Sequence, residues 1–157
     1  MGRKKPRWDK TSFLDKLRDK KGPEAAELGQ RLHDWAVSRG ITVAWGDGPR
    51  WGSMHLCYGP ARTRLVSLYT IARVDINFGW MEDPPFDDAE CRGMLLNSFC
   101  SIKGVPNLKK KVKREADGRI TGYRTFRLEV LADSEAFDQF LTVLENVLKL
   151  VADESEV

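Results

Sequence analysis

The sequence predicts an α+β fold, a single domain in which a mainly antiparallel sheet is covered by helices. Three observations carry this. The stretch from Ile41 to Trp80 alternates apolar and polar residues between turn signals, as half-buried strands do. Apolar residues recur at helical spacing on both sides of it. At 157 residues the chain is long enough for one core without disulfide or metal staples. The expected order is ααββββαβα, a four-strand meander joined by a later strand.

Residues 1–7 are basic and polar and read as a flexible tail ahead of a domain spanning 8–151, with 152–157 a frayed acidic tail. Thr11 is expected to cap a short helix in which Phe13, Leu14 and Leu17 share a face, and Lys20 and Lys21 suit its C-terminal pole. Gly22-Pro23 breaks that helix and opens the next, whose stripe is Ala25, Leu28, Leu32, Trp35 and Ala36, ending at Gly40. Ile41, Val43 and Trp45 alternate up to the turn Gly46-Asp47-Gly48-Pro49, and Met54, Leu56 and Tyr58 alternate up to Gly59-Pro60. Arg64 to Tyr69 fits a central strand. In Arg73 to Gly79, Val74, Ile76 and Phe78 alternate with Arg73, Asp75 and Asn77.

A loop through Pro84-Pro85-Phe86 then delivers Asp87 and Asp88 to a helix N-terminus. Cys91, Met94, Leu95, Phe99 and Ile102 follow at helical offsets, and Gly104 closes that helix. Lys109 to Arg127 turns at Ala116-Asp117-Gly118-Arg119 and is expected to protrude as a basic hairpin, its second arm entering the sheet as a strand from Phe126 to Leu131. A last helix opens near Asp133-Ser134, with Phe137, Phe140, Leu141, Leu144, Val147, Leu148 and Val151 on one face.

The formal charge of +3 conceals a segregation by segment. Residues 1–21 sum to +6 and 103–127 to +7, whereas 128–157 sum to −7. Such asymmetry points to a charged partner. No apolar run approaches the length of a membrane span and no apolar leader follows the first basic residues, so no membrane association and a cytoplasmic location are expected. Cys57, Cys91 and Cys100 are an odd number in apolar contexts, which suits reduced core thiols.

Two resemblances bear on function. Pro84-Pro85-Phe86-Asp87-Asp88, Arg92, Leu95-Leu96-Asn97 and Gly104-Val105 resemble a pattern in an uncharacterised family of bacterial domains, in which a Pro-Pro-Phe loop leads to an Arg-bearing helix and a Gly turn. Leu131-Ala132-Asp133, Phe140 and Val147 resemble its end, and Trp8, Phe13 and Trp45-Gly46-Asp47-Gly48 its opening. That family carries no established activity to transfer, and its members look shorter and less basic than this chain between Asn107 and Arg127. The element order is also similar to the core of the PD-(D/E)xK nucleases, which implies metal-dependent cleavage through Asp75 and Asn77, with His55 on the same face and Asp47 or Glu27 as a further ligand. Asn77 stands where that family has lysine.

From the residues themselves, the basic hairpin is the foremost candidate. Lys109, Lys110, Lys111, Lys113, Arg114, Arg119, Arg124 and Arg127, interleaved with Tyr123, can neutralise phosphates and stack on bases, and Lys4 and Lys5 add a second basic contact. The same cations would also serve to keep an exposed edge soluble. His33, His55 and the cysteines lack zinc spacing, and the Gly46 to Gly52 turn opens no helix that could hold a phosphate. No metal and no cofactor are expected. The sequence thus suggests a non-catalytic nucleic-acid accessory domain. Its alternatives are a protein-interaction module, meeting an acidic partner or a second copy, and a divergent nuclease.

Overall fold

A computed structural model describes residues 8–155. The α+β fold is as expected. The elements are α1 (Lys10–Lys21), α2 (Pro23–Ser38), β1 (Thr42–Trp45), β2 (Ser53–Tyr58), β3 (Thr63–Tyr69), β4 (Arg73–Ile76), α3 (Ala89–Cys100), β5 (Arg124–Arg127) and α4 (Ser134–Ser155). Short 3-10 turns occupy Phe78–Trp80 and Leu128–Ala132. The strands lie in the order β1-β2-β3-β4-β5, each antiparallel to its neighbour.

Period-two alternation decides which face meets the helices. Met54, Leu56 and Tyr58 of β2, Val66 and Leu68 of β3, Val74 and Ile76 of β4 and Phe126 of β5 are all buried. Phe13 of α1 packs on Trp45 with ring centres 5.6 Å apart, and Phe140 of α4 lies 6.0 Å from Phe126 and 5.9 Å from Phe99 of α3. Gly29 lets α2 close on α1 and the sheet: a Cβ there would meet Leu17 at 3.0 Å and Leu68 at 3.5 Å. All four helices therefore lie on the apolar face. In α4 the buried side chains include Phe137, Phe140, Val143, Leu144 and Val147, each contributing about 1.5–3 kcal/mol on burial.

Several local expectations are corrected. Asp9, two residues ahead of Thr11, caps α1: its carboxylate accepts from Ser12 N at 2.8 Å while the Ser12 hydroxyl accepts from Asp9 N at 2.9 Å, a reciprocal pair that also places negative charge at the helix's positive end. In α3 the buried face is Arg92, Leu95, Leu96 and Phe99, leaving Met94 exposed. Asp88 caps it by accepting from Cys91 N at 2.9 Å. Strand β4 stops at Ile76, two residues ahead of the 3-10 turn at Phe78–Trp80, and β5 stops at Arg127. Leu128 and Leu131 are both buried, and a spacing of three suits the 3-10 turn that replaces the expected strand. Helix α4 runs through 152–155, the first part of the expected acidic tail. Of the three free cysteines, Cys57 is buried, whereas Cys91 and Cys100 are only partly so. Among the described residues no helix is long and apolar enough to cross a membrane.

The basic segment forms a smaller hairpin than its sequence suggests. One antiparallel bridge joins Arg114 to Ile120, with Thr121 N donating to Lys113 O at 2.9 Å and Glu115 N to Arg119 O at 2.8 Å. Ile120 and Leu108 are buried in the core and Val112 packs against it. The segment is thus anchored on its apolar side, and its lysines ride on a fixed ridge.

Candidate nucleic-acid interface

The sheet face away from the helices is polar. Register pairs His55 with Ser67 and Ser67 with Asp75, so the three lie in a row across β2, β3 and β4. His55, Ser67, Asp75 and Asn77 are all buried, although the alternation that makes the strands half-buried puts Asp75 and Asn77 on the polar face. A chain of hydrogen bonds accounts for most of these groups. Asn77 Nδ2 donates to Ser67 Oγ at 2.8 Å, and His55 hydrogen-bonds through Nδ1 to Ser67 Oγ at 2.6 Å and through Nε2 to Ser53 Oγ at 3.1 Å. A neutral imidazole satisfies both contacts, donating from one ring nitrogen and accepting at the other. Burial, with the Arg64 charge adding to it, lowers the His55 pKa from 6.5 to about 4.

Beside this row, β3, β4 and the stretch Thr121 to Tyr123 enclose a groove of about 340 Å³. Asp75 and Asn77 form its floor, and Tyr69, Arg73, Trp80 and Tyr123 its walls. Arg73 pairs with Asp75 side-on, Nε to Oδ1 at 3.0 Å and Nη2 to Oδ2 at 3.1 Å. Arg73 Nε and Asp75 Oδ1 are held by charge alone, since neither makes a directed hydrogen bond. Burial raises the Asp75 pKa and outweighs the Arg73 charge and the hydrogen bond from Thr125. The Arg73 guanidinium lies 4.6 Å from the Tyr69 ring centre and 5.7 Å from that of Tyr123, and Arg64 lies 4.5 Å from that of Trp80. Gly79 N donates to Gly122 O at 2.7 Å. A Cβ on Gly79 would stand 3.1 Å from Gly122 N, so the bare backbone sets the close approach of the two walls that carry Trp80 and Tyr123.

The expected basic cluster divides into two sets. Lys109, Lys110, Lys111 and Lys113 are exposed, and among the described residues no carboxylate lies within ion-pair distance of any of them. The arginines are largely engaged by their own chain. Arg124 Nε and Nη2 donate to the carbonyls of Leu108 and Lys110 at 2.8 and 2.7 Å, tying the ridge to β5. Arg119 pairs with Asp117 at 2.7 Å and Glu82 at 3.6 Å. Arg127 pairs with Glu129 at 3.3 Å, and Arg114 Nη1 donates to Gly118 O at 3.0 Å. Tyr123 is exposed. Lys4 and Lys5 lie outside the described residues.

The nuclease candidates do not assemble around a shared metal. Asp75 faces Arg73, Glu27 is exposed on α2 across the sheet, and Asp47 lies between β1 and β2. No group of three or more His, Cys, Asp or Glu side chains among the described residues is placed to hold a metal ion. Sequence reasoning missed Tyr69 and Trp80 as site residues, because turns separate them from the alternating run. It placed Arg73 on the correct face without giving it a role.

Compared with known proteins, the chain matches no family model, no curated protein and no solved structure. What the interface can do is decided by its own geometry: a ridge of lysines that have no carboxylate partner among the described residues, beside an aromatic-walled groove.

Proposed function

We propose that this protein is a non-catalytic nucleic-acid accessory domain that binds phosphates through Lys109, Lys110, Lys111, Lys113 and Arg114, with Lys4 and Lys5 of the N-terminal segment as a second contact. The observation that carries this is the lysine ridge. Four neighbouring ammonium groups are exposed and lack carboxylate partners among the described residues, while Arg124 and the buried Leu108 and Ile120 hold their backbone in place. Cations that are not neutralised internally, on a backbone that is already held, meet a polyanion without breaking ion pairs of their own or ordering the segment that carries them.

Changing all four lysines to glutamate should abolish binding of labelled DNA or RNA at about 50 mM salt, where phosphate contacts are strongest. Changing them to glutamine should flatten the dependence of log K on log salt by about 3, the counterions of four contacts. Absence of wild-type binding to every strand tested at that salt would refute the proposal.

The competing reading, in which the ridge meets the acidic helix α4 of a second copy or another acidic protein, has fewer charges to draw on within this chain. Asp133 and Glu135 are bridged by Lys103 at 3.1 and 3.4 Å, and Glu145 by Arg39 at 2.6 Å. A cleavage role is disfavoured by the Arg73–Asp75 pair, which directs the one buried carboxylate of this face at a guanidinium.

A further inference from the structure

We infer that the groove beside the lysine ridge is a base pocket, taking an unpaired nucleobase of a single strand against Trp80 and Tyr123 while the flanking phosphates lie on the ridge. This rests on the nucleic-acid reading above and specifies its substrate. Trp80 and Tyr123 are 57% and 56% exposed, yet both wall the same groove over a polar floor. Arg64 lies over the Trp80 ring, and Arg73 lies beside Tyr123, so each ring is oriented by a cation while most of its surface stays open. Rings fixed in this way stack on any base, because every base offers a π-face.

The groove volume of about 340 Å³ is at the small end for ligand sites and suits one planar ring system better than a helix or a duplex groove. Its lining supplies hydrogen-bonding chemistry for a base edge: the Asp75 carboxylate and Asn77 amide of the floor and the Arg73 guanidinium of the wall. A duplex keeps its bases stacked and cannot fill the pocket without unpairing. The pocket therefore selects single strands, whereas the ridge alone does not discriminate. Groove and ridge are also mechanically joined. Thr121, part of the groove lining, donates its backbone N–H to the Lys113 carbonyl at 2.9 Å, so the groove borders the ridge at Lys113.

The test uses the full chain and strands of about 12 nucleotides, long enough to cover one such site, as single-stranded DNA, single-stranded RNA and matched duplexes. The variant Trp80→Ala/Tyr123→Ala should lose about tenfold or more in single-strand affinity, with an unchanged salt slope and unchanged duplex affinity. Trp80→Phe/Tyr123→Phe, which keeps the rings, should retain most of the wild-type preference. If the alanine variant binds single strands as wild type does, while the lysine-to-glutamine variant shows its flattened slope, the base pocket is refuted and the ridge stands. If the wild type binds neither single strands nor duplexes, the nucleic-acid reading fails and the pocket fails with it. The phenylalanine variant guards against misfolding, because loss of binding there as well as in the alanine variant, with wild-type thermal unfolding in both, would also count against stacking.

Discussion

Arg92→Met is expected to destabilise the protein by about 3 kcal/mol or more, a large fraction of the total stability of a domain this size. Arg92 is 1% exposed on the inner face of α3. Its Nη1 donates to the Ile120 carbonyl at 2.7 Å, and its Nε and Nη2 donate to the carbonyls of Phe86 and Met81. One guanidinium thus joins α3, the loop ahead of it and the basic hairpin. Burial is the main influence lowering its pKa, with the nearby Arg119 charge next, but arginine remains charged in proteins. Methionine fills similar space and removes the desolvated charge, yet it leaves three inward-facing carbonyls without this donor, at about 1–3 kcal/mol for each that stays unsatisfied.

Lysine should rescue little, because an ammonium lacks the planar fork that reaches three acceptors at once. Urea unfolding provides the measurement. With a slope of about 2 kcal/mol/M, the midpoint should fall by about 1.5 M. A shift below about 0.3 M would show that Arg92 is not the clasp described. Because Ile120 lies in sequence between the lysine ridge and Tyr123, partial loosening should weaken the proposed nucleic-acid binding before global unfolding occurs.

Acidification from pH 7 to about pH 4.5 is expected to remove stability through His55, by an amount approaching about 3 kcal/mol when its titration is complete. The folded state holds the neutral imidazole, with a pKa lowered from 6.5 to about 4 by burial and then by Arg64. Its contribution is therefore fully present above pH 6.5 and is lost as the pH falls through about 4, at about 1.4 kcal/mol per pH unit. The structural reason is burial: the imidazole is enclosed between Ser53 and Ser67 on the sheet, away from the water that would solvate its charge, and the Arg64 charge adds to the penalty.

Other groups act differently in this window. Asp75 works in the opposite sense, since its raised carboxyl pKa adds stability as the pH falls through its folded value. The lowered carboxyls of Asp9, Asp34, Asp117 and Asp133 keep their contributions until the pH drops below the ordinary 3.8. Comparing wild type with His55→Gln at pH 7 and pH 4.5 isolates the histidine. Wild type should lose about 2 kcal/mol more than the variant between the two, and equal losses would contradict the neutral, buried assignment.

Much of the architecture was legible because local chemistry and burial agree. Val74, Ile76 and Phe78 alternate against Asp75 and Asn77, and the helices sit on the side that the apolar residues face. The stripe through Phe137, Phe140, Leu144 and Val147 is core, as its period suggests. Misreadings arose where one residue can serve two geometries. Leu128 and Leu131 satisfy either an extended run or a 3-10 turn, and only the core beneath them selects the turn. Arg92 shares helical spacing with Leu95, Leu96 and Phe99, so it was discoverable as a cation in an apolar stripe, but nothing nearby in sequence reveals the three carbonyls it meets.

The sequence by itself determined the α+β order, the polar and apolar faces of the sheet and the density of cations between Lys109 and Arg127. These depend on period, turn chemistry and charge, which act between near neighbours. Tertiary structure decided which of those cations are engaged by the chain, because Arg119 and Arg124 find partners across turns while the four lysines find none among the described residues. It also decided that Tyr69, Arg73, Trp80 and Tyr123 share one groove. That groove exists because β4 pairs with both β3 and β5, and Gly79 and Gly122 bring their backbones together. Pairing between residues so far apart depends on closing long loops around one core, and side-chain patterns do not encode that closure locally.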